Sequence, residues 1–277
     1  MELYDDDRPT PSAMLSRRMR KARESAGLSL RGLGEQIRFP YGFLGRVERG
    51  EQPATDALVK ELDRFFGTQD LFAELLEMAQ ELAIPIYSRD FLRREREALR
   101  IQVFTSSLIP GLLQTRTYAT ELFRVSLPWE SSDERESRAN IRIKRQHLLN
   151  HEESPFYWAI MDEAALKRPP GRKDLMREQI KHILKIGEKP RVVIQVLPFE
   201  QALHPMLGGG LTLLTLQDGS TIAYVESFAS GEPVESPKRV AELVQYFEIG
   251  CSMALPKKES LELIRGYLGG YEDVCDS

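Results

Sequence analysis

A chain of 277 residues, 42% hydrophobic and 29% charged, is long enough for two cores and too apolar for a disordered polymer. No run reaches about 18 apolar residues, the length that spans a bilayer, and two cysteines, Cys251 and Cys275, exclude a disulfide framework and a zinc module. The net charge of −4 excludes general affinity for nucleic acid and leaves room only for a local basic patch.

That patch lies near the start. Between Met14 and Arg49, Lys21 and eight arginines (Arg17, Arg18, Arg20, Arg23, Arg31, Arg38, Arg46, Arg49) stand against Glu24, Glu35 and Glu48. Residues 1–11, MELYDDDRPTP, are acidic and aperiodic, which predicts a flexible tail ending at a helix cap, Ser12. A first helix places Leu15, Met19, Ala22 and Ala26 on one stripe and stops at Gly27. Ser29 caps a second helix, and Pro40 suits the first position of a third, since its missing N–H would have had no partner there. Leu33, Ile37, Leu44 and Val47 are spaced so that these two short helices share one core, leaving Arg31, Arg38, Arg46 and Arg49 outward. Thr55 caps a fourth helix, closed by Gly67, and Asp70 a fifth. The fifth carries Leu71, Leu75, Met78 and Leu82 inward, either closing the core or forming a dimer seam. The Pro85 segment marks a boundary.

Beyond it, residues 91–103 mix Arg and Glu at helical spacing, and SLIPGLLQT turns through Pro110 and Gly111. A helix over Asp133–Asn150 carries Arg135, Arg138, Arg142, Lys144 and Arg145, either a solvated face or a second phosphate-facing one. FYWAIM, RVVIQVLPF, LTLLTL and TIAYVE read as strands, the last two joined by the hairpin turn QDGS. A helix over Asp174–Ile186 lies between the first two strands, and helices over Pro237–Met253 and Glu259–Leu268 come last. The fold class is an all-α five-helix domain followed by an α+β domain with a small sheet. The predicted division is a tail (1–11), a helix-turn-helix domain (12–83), a linker (84–89) and a larger α+β domain (90–277).

LSLRGLGEQI, FPYGFLGRVERG and QPATDALVKELDRFFG resemble xenobiotic-response-element-type helix-turn-helix regulators. SLIPGLLQTRTYA, WAIMDEAALKRP, MREQIKHILKI, VVIQVLPF and SLELIR are similar to the C-terminal domain of WhiJ-like regulators of actinobacteria, a domain of unknown function. Reader first and large domain second is also that family's order.

The resemblance implies a third helix lying in the major groove of double-stranded DNA, with base-facing positions at Tyr41, Gly42 and Arg46. Arg46 can bond both O6 and N7 of guanine. Ser29, Arg31, Arg38 and Arg49 fall near the backbone and would bind phosphate. Phe39 and Pro40 stand where the family often has small hydroxyl residues, and Gly34, Gly42 and Gly45 replace better helix formers, at about 0.5–1 kcal/mol for each mid-helix glycine. A single unit being small, the expectation is a homodimer on a roughly palindromic operator. The function expected is that of a cytoplasmic, sequence-specific repressor. Its larger domain would take a signal from a small partner protein encoded nearby, or from a ligand.

The alternative is an enzyme or a small-molecule sensor fused to a DNA reader. HExxH is absent, and His147 and His151 in HLLNH lack a base at the right spacing. His182 and His204 read as isolated, and Asp162 and Glu163, if helical, point apart. Trp158, Phe199, Tyr224 and Phe228 either line a pocket or fill the core. No catalytic residue, metal or cofactor is expected, and no effector residue is assigned.

Overall fold

The computed structural model describes residues 10–82, 86–151, 153–201, 203–227 and 231–272. The chain falls into two compact units, 1–85 and 86–277, each taken here by itself.

The first unit is helical: α1 (Pro11–Ser25), α2 (Leu30–Ile37), α3 (Tyr41–Glu48), α4 (Asp56–Phe66) and α5 (Leu71–Leu82). Ser29 and Thr55 cap α2 and α4, their hydroxyls accepting from the amides of Gly32 (3.0 Å) and Leu58 (3.2 Å). The cap of α1 is Thr10 rather than Ser12, with Pro11 the first helical residue, so helix begins inside the stretch read as tail. The rest of that stretch, residues 1–9, lies outside the described residues. Pro40 likewise sits one place earlier than expected, as the N-cap of α3.

The start of α5 also differs. Asp70 has a left-handed backbone, and the carboxylate that receives the helix amides is Asp63, accepting from Phe72 (3.0 Å) and Ala73 (2.9 Å). Capping from α4, across nine residues, escapes any local rule. It turns Phe72, Leu75 and Leu76 inward against α1 and α4 and leaves Met78 exposed, so α5 closes the core.

The second unit is α+β. It runs α6 (Ile86–Glu97), β1 (Arg100–Thr105), a 3-10 turn (Gly111–Leu113), α7 (Arg116–Ser126), α8 (Ser132–Lys144), a 3-10 turn (Arg145–Leu149) and β2 (Phe156–Asp162). Then come α9 (Ala164–Lys167), α10 (Lys173–Gly187), β3 (Val192–Leu197), β4 (Gly210–Thr215), β5 (Thr221–Glu226), β6 (Gly231–Val234), α11 (Pro237–Met253) and α12 (Lys257–Glu272). The strands make one open sheet in the order β3-β2-β1-β4-β5-β6. Strands β1, β2 and β3 are parallel, and β4, β5 and β6 each pair antiparallel with the preceding neighbour. Alternation divides the core between the two faces: Ile101, Ala159 and Ile194 pack with Ile180 and Ile183 of α10, while Phe104, Ile160 and Leu197 pack with Leu243 and Phe247 of α11.

Four expectations change. Residues 91–103 are not one helix: α6 ends at Glu97, and β1 is a strand paired on both sides, its register clearest where Val103 meets Ala159 and Thr212. Residues 86–89, placed in the linker, are the first turn of α6, while 83–85 lie outside the described residues. Residues 133–150 are α8 followed by a 3-10 turn, and α7, capped by Thr115, fills a stretch given no element. The short edge strand β6 was not foreseen either.

The β3 edge is closed by the connection into α12. Leu255 N–H donates to the Val196 carbonyl and Val196 N–H to Ser260 Oγ, both at 2.9 Å. Lys257 Nζ reaches the Val192 carbonyl at 2.7 Å.

Candidate nucleic-acid interface

Helices α2 and α3 meet through Leu33, Ile37, Leu44 and Val47, all buried. Two backbone features make the turn between them. Arg38 takes the left-handed conformation (φ 59°) as the C-cap of α2, its amide donating to the Gly34 carbonyl. Gly34 sits so close to the incoming chain that a Cβ would stand 2.6 Å from the Phe39 carbonyl oxygen. This glycine is therefore required by packing, whereas a Cβ on Gly42 would meet only the end of Arg46, at 3.8 Å.

A buried ion pair fixes α3 to α1. Arg23 forks onto Glu48 at 2.7 and 2.9 Å and also donates to the Leu28 carbonyl at 2.8 Å. Ser16 Oγ donates to the Val47 carbonyl at 2.6 Å. Glu48 holds the Arg23 guanidinium above its usual pKa. The carboxylate is thus a strut between the two helices.

Ser29, Arg31, Arg38, Tyr41, Gly42, Arg46 and Arg49 are all exposed. The fold brings them into subsets. Arg31 lies over the Tyr41 ring, 5.4 Å from its centroid, joining the start of α2 to the start of α3. Arg46 runs back along Gly42, and its Nε donates to Gln52 Oε1 at 2.8 Å, which fixes the guanidinium. Arg49 is forked onto Glu51 at 2.7 and 2.8 Å, so its charge is locally matched, and Glu51 is held below the usual carboxylate range by that bond. Gln52 is the residue that sequence reasoning missed. It follows the third helix, in a loop where no periodicity singles it out.

Outside this face the polar groups are mostly structural. Asp162 ends β2 rather than lying on a helix, and His204 is not isolated: its Nε2 is 3.5 Å from Asp162 Oδ2. Glu163 is buried, accepting from Tyr267 Oη (2.6 Å) and the Phe199 amide (2.8 Å). Tyr224 is core, Trp158 is half-buried with its indole N–H on Gln195 Oε1, Phe199 is exposed, and Phe228 lies outside the described residues. Arg138 and Arg145 are forked onto Glu130 and Glu95, so these two charges of the helix and its following turn are matched within the unit. Among the described residues, no three His, Cys, Asp or Glu side chains converge as metal ligands, and no helix is long and apolar enough to cross a membrane.

Residues 14–75 match the family described as a helix-turn-helix domain, the stretch holding α2, α3 and the exposed basic face. No curated protein and no solved structure matches the chain. Residues 88–266, more than half of the length, match the domain of unknown function DUF5753, and the chain therefore belongs to the DUF5753 family, with a DNA-binding type of helix-turn-helix domain ahead of that domain.

Proposed function

We propose that the protein is a cytoplasmic, sequence-specific transcriptional repressor that binds a roughly palindromic operator as a homodimer. The observation that carries this reading is the exposed set Tyr41, Gly42 and Arg46 on a helix locked to its unit by the Arg23–Glu48 pair. Arg46, steadied by Gln52, reads guanine; Tyr41 contacts a thymine methyl or a phosphate; Gly42 lets the helix approach the bases. Ser29, Arg31, Arg38 and Arg49 hold the phosphate rails and set register. The larger domain receives the regulatory signal, from a small partner protein encoded nearby or from a ligand. The order of parts, a helix-turn-helix domain ahead of a larger domain, supports that division of labour, which is the one a WhiJ-like actinobacterial regulator would have.

Titrating the full chain onto its own upstream DNA, with footprinting, tests the reading. The expected result is two-fold protection and a salt-sensitive complex. Arg46→Ala should lose discrimination at one guanine by about 1–3 kcal/mol while keeping non-specific binding. No salt-sensitive complex, or an unchanged preference in Arg46→Ala, overturns it.

A further inference from the structure

Four arginines project from α8 and the turn after it, and three have their donors met by acids or carbonyls. Arg138 is forked onto Glu130, Arg145 onto Glu95, and Arg135 donates to the Glu130 and Leu127 carbonyls. Arg142 differs. Its Nη1 donates at 3.0 Å to a neutral acceptor, Gln114 Oε1, and its guanidinium carbon lies 4.7 Å from the centroid of the Phe123 ring. Among the described residues, no carboxylate comes within ion-pair distance of it; Glu226 and Glu95 act on it only from farther away. A Cβ on Gly111 would stand 3.9 Å from both Arg142 Nε and Arg145 Nη1, so two cationic groups flank one bare stretch of backbone.

The stretch they flank is rigid. Gln114 is buried and its Nε2 donates to the Ile109 carbonyl at 2.7 Å, while Gln146 Nε2 donates to the Gln114 carbonyl. Gln179, also buried, clamps the next turn, donating to the Leu113 carbonyl (2.6 Å) and accepting from the Thr115 amide (2.7 Å). This shelf leaves the carboxyl end of β1, the strand at which the sheet changes from parallel to antiparallel pairing. Open sheets hold their ligands in such places.

Packing the Arg142 guanidinium with only an amide and a ring for company costs free energy that an anion would return. Burial lowers the Arg142 pKa to about 10, with Arg145 adding to the fall. Arg142 is half-buried, and a guanidinium held in place without a carboxylate partner can take up an oxyanion through its N–H groups.

We infer that Arg142, on the Ile109–Gln114 shelf, is the receptor for the oxyanion of a small molecule, a carboxylate or a phosphate group. Arg142 supplies the charge and the fork; Gln114 is a positioning residue that holds the fork in place.

The test uses the full chain, without DNA, so its outcome is separate from that of the DNA-binding reading. Its thermal midpoint is followed at fixed pH and ionic strength as chloride is replaced by inorganic phosphate in one series and by acetate in another. A saturable rise is expected in at least one series, and which one rises distinguishes the two sources of the oxyanion. The rise should vanish in Arg142→Met, which keeps the bulk of the stem, and should survive in an Arg31→Met, Arg38→Met double variant of the basic face. No saturable rise in either series, or the same rise in Arg142→Met, overturns the inference. Should Arg142→Met not fold, Arg142→Lys must raise the half-saturating concentration at least threefold, and an unchanged value likewise overturns it.

Discussion

Arg38 holds a conformation that costs a side-chain-bearing residue roughly 1–2 kcal/mol. Arg38→Gly should therefore raise stability by about 0.5–1 kcal/mol, while weakening all duplexes alike through the lost guanidinium. Thermal unfolding and duplex titration read the two effects separately. The two glycines nearby should respond with opposite signs. Gly42→Ala should stabilise by about 0.5–1 kcal/mol, whereas Gly34→Ala should destabilise, because its methyl has a carbonyl oxygen to displace. From sequence both glycines read alike as poor helix formers; the difference lies in a contact between residues on either side of a turn, which no propensity scale contains. Cys251 adds a pH signature. Burial pushes its thiol up to about 11, from about 9 when unfolded, so its contribution to stability is full below pH 9 and lost as the pH rises through 11. In a Cys275→Ser background, disulfide-exchange reagents at pH 8 should modify Cys251 at least about tenfold more slowly than a free thiol.

Among the elements, α11 was legible at both ends because Pro237 stands at its first turn and its apolar residues recur at helical spacing. Strand β1 was not. It carries Arg100 and Gln102, follows a helix rich in Arg and Glu, and owes its conformation to neighbours on both sides that lie more than 50 residues away in sequence. Tertiary pairing decided what local pattern could not. The face proposed to read DNA was better marked as a basic stretch, since its residues fall within 29–49 and the caps there are local; the Arg31–Tyr41 contact, the left-handed Arg38, Gln52 and the Arg49–Glu51 fork needed coordinates. The cover on β3 gives an element-level prediction. Ser260 is fully buried, accepting from Val196 N–H and donating to the Leu255 carbonyl, so Ser260→Ala should cost about 1–3 kcal/mol by stranding a backbone donor. A lower urea midpoint would register it, and an unchanged one would mean that water replaces the hydroxyl.

For the molecule as a whole, a net charge of −4 coexists with a basic start, so attraction to DNA is local and its strength depends on which arginines are already matched. Arg49 is matched by Glu51. Glu51→Gln should release it, tighten binding to every duplex and steepen the dependence of log affinity on log salt by up to about 0.9, one phosphate's worth. Anisotropy of a labelled duplex over a potassium chloride series measures that slope, and a slope identical to that of the unmodified chain would show that the bond to Glu51 does not limit the contact of Arg49 with phosphate. The open sheet carries a different consequence. One of its margins is sealed by the Ser260 connection, and the other is only four residues long and interrupted by Pro233, which has no amide hydrogen to offer. Both rims are thus poor templates for a neighbour's strand, which disfavours stacking copies of this protein rim to rim into a ribbon.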